Sequence, residues 1–275
     1  MTFSLPPNRP ALMGILNVTP DSFSDGGLYA TTESAVARAL QMTEEGADII
    51  DVGAESTRPG SQPITEQEEL NRALPVIEKL ANQNITLSID TQKPEVARQA
   101  LRAGAKIIND IGGLRDPQMF ALCAQEKPYI CIMHMQGTPE TMQQSPKYEN
   151  VTAEVKTYLL EKAQQAIKEG VPKEKIWIDP GFGFGKTLEQ NLILLNHLEA
   201  FTETEFPVLI GASRKGFLSK IAGTEGSDQR LEATLAFQTI AQVKGARIIR
   251  AHDIIAAKRT MNAVAAITAA NLRPQ

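Results

Sequence analysis

Cysteine is scarce in this 275-residue chain, long apolar runs are missing, and neither sign of charge dominates. The two cysteines, Cys123 and Cys131, lie near or within an apolar stretch and lack CxxC spacing. That excludes a disulfide framework and a thiolate metal pair, and leaves reduced core thiols in a cytoplasmic protein as the expectation. No apolar stretch approaches the roughly 18 residues of a membrane span, so no membrane association is expected. A net charge of −4 exerts no global pull on nucleic acid or an anionic membrane, so any basic patch must be local. Met1 to Pro10 carries prolines and an arginine where a secretory signal would need an apolar centre, and none is expected. What is present, 42% hydrophobic and 22% charged residues, is the balance of an ordinary domain that can bury a sizeable core.

Eight short apolar runs end in polar residues, and a helix-like stretch follows each. Asn17 follows Leu12 to Leu16, and Asp51 through Arg58 follow Asp48 to Ile50. Asp90 follows Leu87 to Ile89; Asn109 and Asp110 follow Ile107 and Ile108. Met133 and His134 close Tyr129 to Ile132, and Asp179 closes Ile176 to Ile178. Ser213 to Lys215 follow Val208 to Ile210, and Arg250 with His252 follow Ile248 and Ile249. The runs are continuous rather than alternating, as in parallel strands covered on both faces. Eight strand-helix units in 275 residues, against the roughly 250 typical of such a barrel, predict an α/β fold, a single (β/α)8 TIM barrel. One domain over 1–275 is expected, with its active site at the C-terminal ends of the strands.

The spacing predicts helices over Glu33–Glu45, Thr65–Leu80 (with a capping-box spacing from Thr65 to Glu68), Pro94–Ala103, Asn150–Glu169 and Asp253–Leu272. The alanine-rich last helix offers a surface for a homodimer. Three connections, Val18 to Thr31, Gly53 to Ile64 and Gln136 to Glu149, exceed the usual length of such loops and read as lids or substrate loops.

Each polar residue has a plain reading beside a chemical one. Asp90, Asn109 and Asp179 are ordinary helix caps taken singly, but three in one barrel mouth suit a planar ligand rich in N–H and carbonyl groups. Asn17, directly at a strand end, can reach a metal or phosphate with its amide oxygen. Arg58, on a loop between hydroxyls and Pro59-Gly60, has the fork for bidentate phosphate contact. The run Asp179-Pro-Gly-Phe-Gly-Phe-Gly-Lys-Thr187 is no phosphate loop, because that motif needs glycine where Pro180 stands. Its glycines let backbone approach a ligand, with Phe182 or Phe184 available for a face contact. Ser213-Arg-Lys215 forms a local cation pair. Arg250 and His252 share a face by period-two alternation, after strands whose loops often bind phosphate. His134 and His197 read as structural.

The segments NVTPDSFSDGG, DVGAESTRPGS, SIDTQKPEVA, INDIGG, MHMQGTP, IDPGFGFGKT, GASRKGF and RAHD, in this order from Met13 to Asp253, resemble the dihydropteroate synthase family. The resemblance implies condensation of 6-hydroxymethyl-7,8-dihydropterin pyrophosphate with p-aminobenzoate to 7,8-dihydropteroate and pyrophosphate, in folate biosynthesis. It implies a pterin pocket of Asp90, Asn109, Asp179 and Lys215, with Met133 packed nearby. Asn17 would help hold Mg2+ on the diphosphate, and Arg250 and His252 would bind that anion. Thr57, Arg58, Pro59, Phe23 and Phe184 would line the p-aminobenzoate pocket, where sulfonamides would compete. The family pattern often has serine after Ser-Arg-Lys; here Gly216 stands there, leaving backbone N–H groups and a helix N-terminus for the substrate carboxylate.

The chemistry agrees. An arylamine is already a neutral nucleophile, so the difficult step is expelling pyrophosphate, with Arg250, His252, Lys215 and Asp90 as the catalytic candidates and an SN1-like course expected. Two other readings are a methyltetrahydrofolate-type pterin-binding methyltransferase and a catalytically silent pterin-binding paralogue. The Arg58-Pro59 loop and the Arg250/His252 pair speak against the first, and the retained first- and second-loop residues against the second.

Overall fold

A computed structural model of the chain describes residues 3–19, 27–56, 60–224, 226 and 228–270. Its elements alternate throughout. They are β1 (Ala11–Asn17), α1 (Gly27–Glu45), β2 (Ile49–Gly53), α2 (Glu66–Leu80), β3 (Thr86–Asp90), α3 (Pro94–Ala103), β4 (Ile107–Asp110), α4 (Pro117–Glu126), β5 (Tyr129–Met133) and α5 (Val151–Lys168). After these come β6 (Ile176–Asp179), α6 (Leu188–Asn196), α7 (Glu199–Thr202), β7 (Leu209–Ile210), α8 (Gly216–Ala222), α9 (Leu231–Val243), β8 (Ile248–Ala251) and α10 (Ile254–Ala270). All strand pairs are parallel, and the sheet runs β6-β5-β4-β3-β2-β1-β8-β7. A bridge between Ile178 and Val208 brings β6 to β7, so the sheet is a nearly closed (β/α)8 barrel.

Side-chain alternation sorts each strand into two faces. Residues such as Leu12, Ile50, Ile89, Ile108, Ile132, Ile178, Ile210 and Ile249 pack outward into the shell beneath the helices. Ala11, Met13, Ile49, Ile107, Cys131, Trp177, Leu209 and Ile248 fill the inside at the lower end. Phe3 covers that end: its ring meets Tyr129 edge-on at 5.5 Å, and the Tyr129 hydroxyl donates to its carbonyl at 2.7 Å. Truncating Trp177, which is fully buried there, to alanine would cost about 3–5 kcal/mol. With its lower half packed apolar, the barrel can hold polar groups only at the opposite end. Both cysteines are buried and free, as expected.

Several elements differ from expectation. β2 extends to Gly53, so Asp51 lies inside the strand rather than after it. α1 begins at Gly27, which shortens the first long connection. The Thr65 side chain accepts from the Glu68 amide at 3.2 Å, but the Glu68 carboxylate turns to Arg72, so the cap is one-sided. A full capping box occurs instead at α6, where Thr187 and Gln190 exchange bonds. Asn150 and Glu169 are caps of α5, not members of it. His197 is the C-terminal cap of α6.

Candidate active site

Strand register places the polar residues. Asn17 pairs with Gly53, Gly53 with Asp90, and Asp90 with Asn109, so one row crosses four strands at their C-terminal ends. Met133 and Asp179 pair on the opposite wall. Gly53 keeps the row open: a Cβ there would lie 3.6 Å from Asp90 Oδ2 and 3.7 Å from Asn17 Oδ1. Gly211 does the same across the mouth, between Asp179 Oδ2 at 3.8 Å and Arg250 Cδ at 3.9 Å from its virtual Cβ.

One inward residue below this row was given no role by the sequence, which placed it after β2. Asp51 is wholly buried; its Oδ2 accepts from Asn109 Nδ2 at 2.9 Å and from Arg250 Nε at 2.6 Å. Arg250 Nη2 also donates to Asp90 Oδ2 at 2.7 Å. Arg250 therefore spends two of its nitrogens on carboxylates and joins β2, β3 and β8. Strand alternation was the signal that could have found Asp51, since it shares the parity of Ile49 and Gly53. The same parity removes Asp110, which caps its own loop by accepting from the Gly112 and Leu114 amides, each at 2.7 Å.

The electrostatics follow from burial. Burial raises the Asp90 carboxyl well above the ordinary range, and Asp51 adds to this, with Arg250 opposing. Burial likewise raises Asp179, against the pull of Lys215 and a hydrogen bond from the Gly181 amide at 2.7 Å. Lys215 is lowered to about 7, again by burial, with Asp179 opposing. Burial would lower Arg250, but Asp51, Asp90 and Asp179 hold it above its usual value.

Lys215 enters because Arg214, at φ 56°, turns the chain sharply. Its ammonium donates to the Phe182 carbonyl and stands 3.7 Å from the centre of the Phe184 ring. Phe184 packs with Met133, Met135, Met142 and Ile111 in an apolar patch at the rim. Arg214 itself turns away to Asp253, with Nε–Oδ2 at 2.9 Å, so the expected cation pair contributes only Lys215. His252 meets Ser213: the backbone amide donates to Oγ at 3.1 Å, and Nδ1 lies 3.0 Å from the same oxygen. Arg250 and His252 thus share the strand end but answer to different neighbours. A cavity of about 510 Å³ opens beside Asn17 and His252, between α1 and α10; Arg38, Arg214 and Arg259 line it together with Glu45 and Asp253, which pair with Arg38 and Arg214.

Phe23, Thr57, Arg58 and Pro59 lie outside the described residues. The base of the second long connection is nevertheless strapped down. Glu55 accepts from the Ile64 amide at 2.8 Å and pairs with Lys93 at 3.0 Å, and Lys93 also pairs with the buried Glu69 at 2.5 Å. His134 is buried, as a structural residue should be.

Fold and site together define a barrel enzyme whose strand ends gather carboxylates, an amide, a lysine and an arginine at one mouth. Comparison with known proteins agrees: the pterin binding enzyme family matches residues 13–252, and the chain belongs to that family. It is 46% identical to the dihydropteroate synthase of Escherichia coli (strain K12) over 97% of this chain and 93% of that one. The Xanthomonas albilineans dihydropteroate synthase with 4-aminobenzoic acid superposes with a TM-score of 0.89 at 44% identity, covering 97% of this chain and 94% of that chain. The same enzyme in complex with 7,8-dihydropteroate gives a TM-score of 0.85 at 41% identity, covering 97% and 95%.

Proposed function

We propose that this chain joins 6-hydroxymethyl-7,8-dihydropterin pyrophosphate to p-aminobenzoate, releasing pyrophosphate, by an SN1-like substitution. The observation that carries this reading is the polar row of Asn17, Asp90 and Asn109 at the C-terminal ends of the strands, tied through Asp51 and Arg250. Asp90, Asn109, Asp179 and Lys215 hold the pterin, and Met133 packs against it. The bond between the methylene carbon and the diphosphate oxygen breaks, and both electrons leave with the diphosphate. Arg250 and His252 stabilise that leaving charge, while Asp90 and Asp179 favour the cationic pterin electrostatically. The arylamine lone pair then forms the C–N bond, and its surplus proton passes to solvent or to the departing diphosphate. Phe184 forms one wall for the arylamine, completed by Phe23, Thr57, Arg58 and Pro59 from the first two loops.

Mg2+ belongs to the same proposal. Among the described residues no three acidic, histidine or cysteine side chains gather as a metal cage. A lone Asn17 amide oxygen beside Asp90 suits a hard cation that keeps its waters and arrives on substrate phosphates. Bound there, Mg2+ would neutralise charge on the diphosphate.

Among the described residues no helix is long and apolar enough to cross a membrane, and a cytoplasmic location is proposed. A homodimer is also proposed, supported by exposed Ile240 and Val243 on α9 and Ile255 and Ile267 on the adjoining α10.

Pyrophosphate release from the pterin diphosphate, followed with and without p-aminobenzoate, tests the function. Product with p-aminobenzoate, and slow release without it, is expected. Strict dependence of release on the amine would replace the stepwise course with direct displacement. No release under either condition would leave a silent pterin binder.

A further inference from the structure

Lys186 plays no part in the chemistry above, yet its ammonium is buried in the wall of the site, with the residue 2% exposed. Its acceptors are neutral: the carbonyls of Gly181 and Phe184, each at 2.9 Å, and Nδ1 of His134 at 3.1 Å. Burial pushes His134 down to about 2, with Lys186 and Arg115 adding to the effect, so the imidazole is neutral and free to accept. Burial without an ion-paired carboxylate is an expensive place for a lysine. A methionine would fill the same volume more cheaply if space-filling were the only task.

The segment it grips has little shape of its own. Gly181, Gly183 and Gly185 take φ of +72°, +79° and +60°, where side chains are disfavoured. A Cβ at Gly181 would come within 1.9 Å of the His134 carbonyl. Every carbonyl from 181 to 185 is instead held by a side chain. Lys186 takes the first and fourth, and Lys215 takes Phe182. Gln143 Nε2 donates to Gly183 at 2.9 Å, and the Tyr148 hydroxyl donates to Gly185 at 2.8 Å. Gln143 and Tyr148 come from the third long connection, which the sequence presented as a lid or substrate loop and which serves here as a brace. Phe184 is carried in the middle of this segment.

We propose that Lys186, braced by Tyr148 and Gln143, is the positioning residue that fixes the Phe184 ring as a wall of the arylamine pocket. This rests on the function proposed above. It predicts a larger effect on p-aminobenzoate than on the pterin: Lys215 and Asp179 touch the braced segment, but Asp90 and Asn109 hold the pterin from β3 and β4, which the brace does not reach.

The test is steady-state kinetics of Lys186→Met and Tyr148→Phe, varying each substrate in turn, with calorimetric titration of the pterin diphosphate alone. Wild-type turnover is measured first, and its absence would overturn the function rather than the brace. Lys186→Met should raise KM for p-aminobenzoate about tenfold or more, equivalent to 1.4 kcal/mol, while the pterin Kd stays within about threefold. Tyr148→Phe, which removes one hydroxyl, should give a smaller change in the same direction. Should Lys186→Met fail to fold, Tyr148→Phe combined with Gln143→Ala carries the same expectation. Equal shifts for both substrates, or unchanged KM for p-aminobenzoate in the folded variants, would overturn the proposal.

Discussion

Arg250→Ala offers the sharpest perturbation, because one side chain is assigned both a structural and a chemical task. Its guanidinium faces Asp51 and Asp90, whose side chains are 0% and 11% exposed, and is itself only 17% exposed. Screening by water is therefore weak, and breaking a buried pair costs about 3–5 kcal/mol because the remaining charge is unpaired. For a domain of this size that is a fall in Tm of roughly 10 °C. The pH dependence has a definite sign. Burial already raises Asp90 above its unfolded value, and losing Arg250 raises it further. The folded variant would then keep a proton that the unfolded chain releases, so its stability falls as pH climbs from about 4 through the raised pKa. The deficit relative to wild type should be larger at pH 8 than at pH 5 by calorimetry. Turnover should drop about 100-fold or more through loss of a charge-stabilising donor. Arg250→Ala combined with Asp51→Asn should recover much of the Tm and none of the rate. A variant with wild-type Tm and turnover would refute both assignments, and recovery of rate in the double variant would refute the chemical one.

Other outcomes follow from the same geometry. With Lys215 held near 7 by burial, its ammonium is present below that pH and lost above it; pterin diphosphate affinity of the wild type should weaken from about pH 6 to 8.5. A flat profile in wild type, or the same slope in Lys215→Met, would remove that lysine from the pocket. Gly216 is exposed and a Cβ there meets nothing within 4 Å, so Gly216→Ser should fit and lower KM for p-aminobenzoate about fivefold through one added hydrogen bond. An unchanged or higher KM would show that the carboxylate is held elsewhere. Asn17→Ala should raise the Mg2+ concentration needed for half-maximal rate while leaving KM for p-aminobenzoate unchanged; an unaltered Mg2+ titration would disprove the assignment.

The barrel could be read from the chain because parallel strands covered on both faces are written as apolar runs, and each run ends where polar groups become tolerable. Asn17, Asp90, Asn109, Asp179 and Arg250 were recognisable for that reason, each occurring at or near the end of such a run. Helices with a capping or breaking residue at both ends, such as Pro94–Ala103, were equally plain. Pairing was not legible. Whether Asp51 belongs to a strand or to the loop after it depends on its neighbours in β1 and β3, and only that membership turns it inward beneath Arg250 and Asn109. Arg214 and Lys215 are adjacent in sequence with similar charge, yet one pairs with Asp253 and the other enters the pocket, through a backbone turn that composition does not encode. Lys186 gave no signal either, since its acceptors are two carbonyls of a loop and the ring of His134 just after β5. Residue types and periodicity thus determined which groups reach the mouth of the barrel. Only the assembled fold decided which of them touch, because burial, and with it each ionisation and each pairing, is a property of the neighbours that closure brings together.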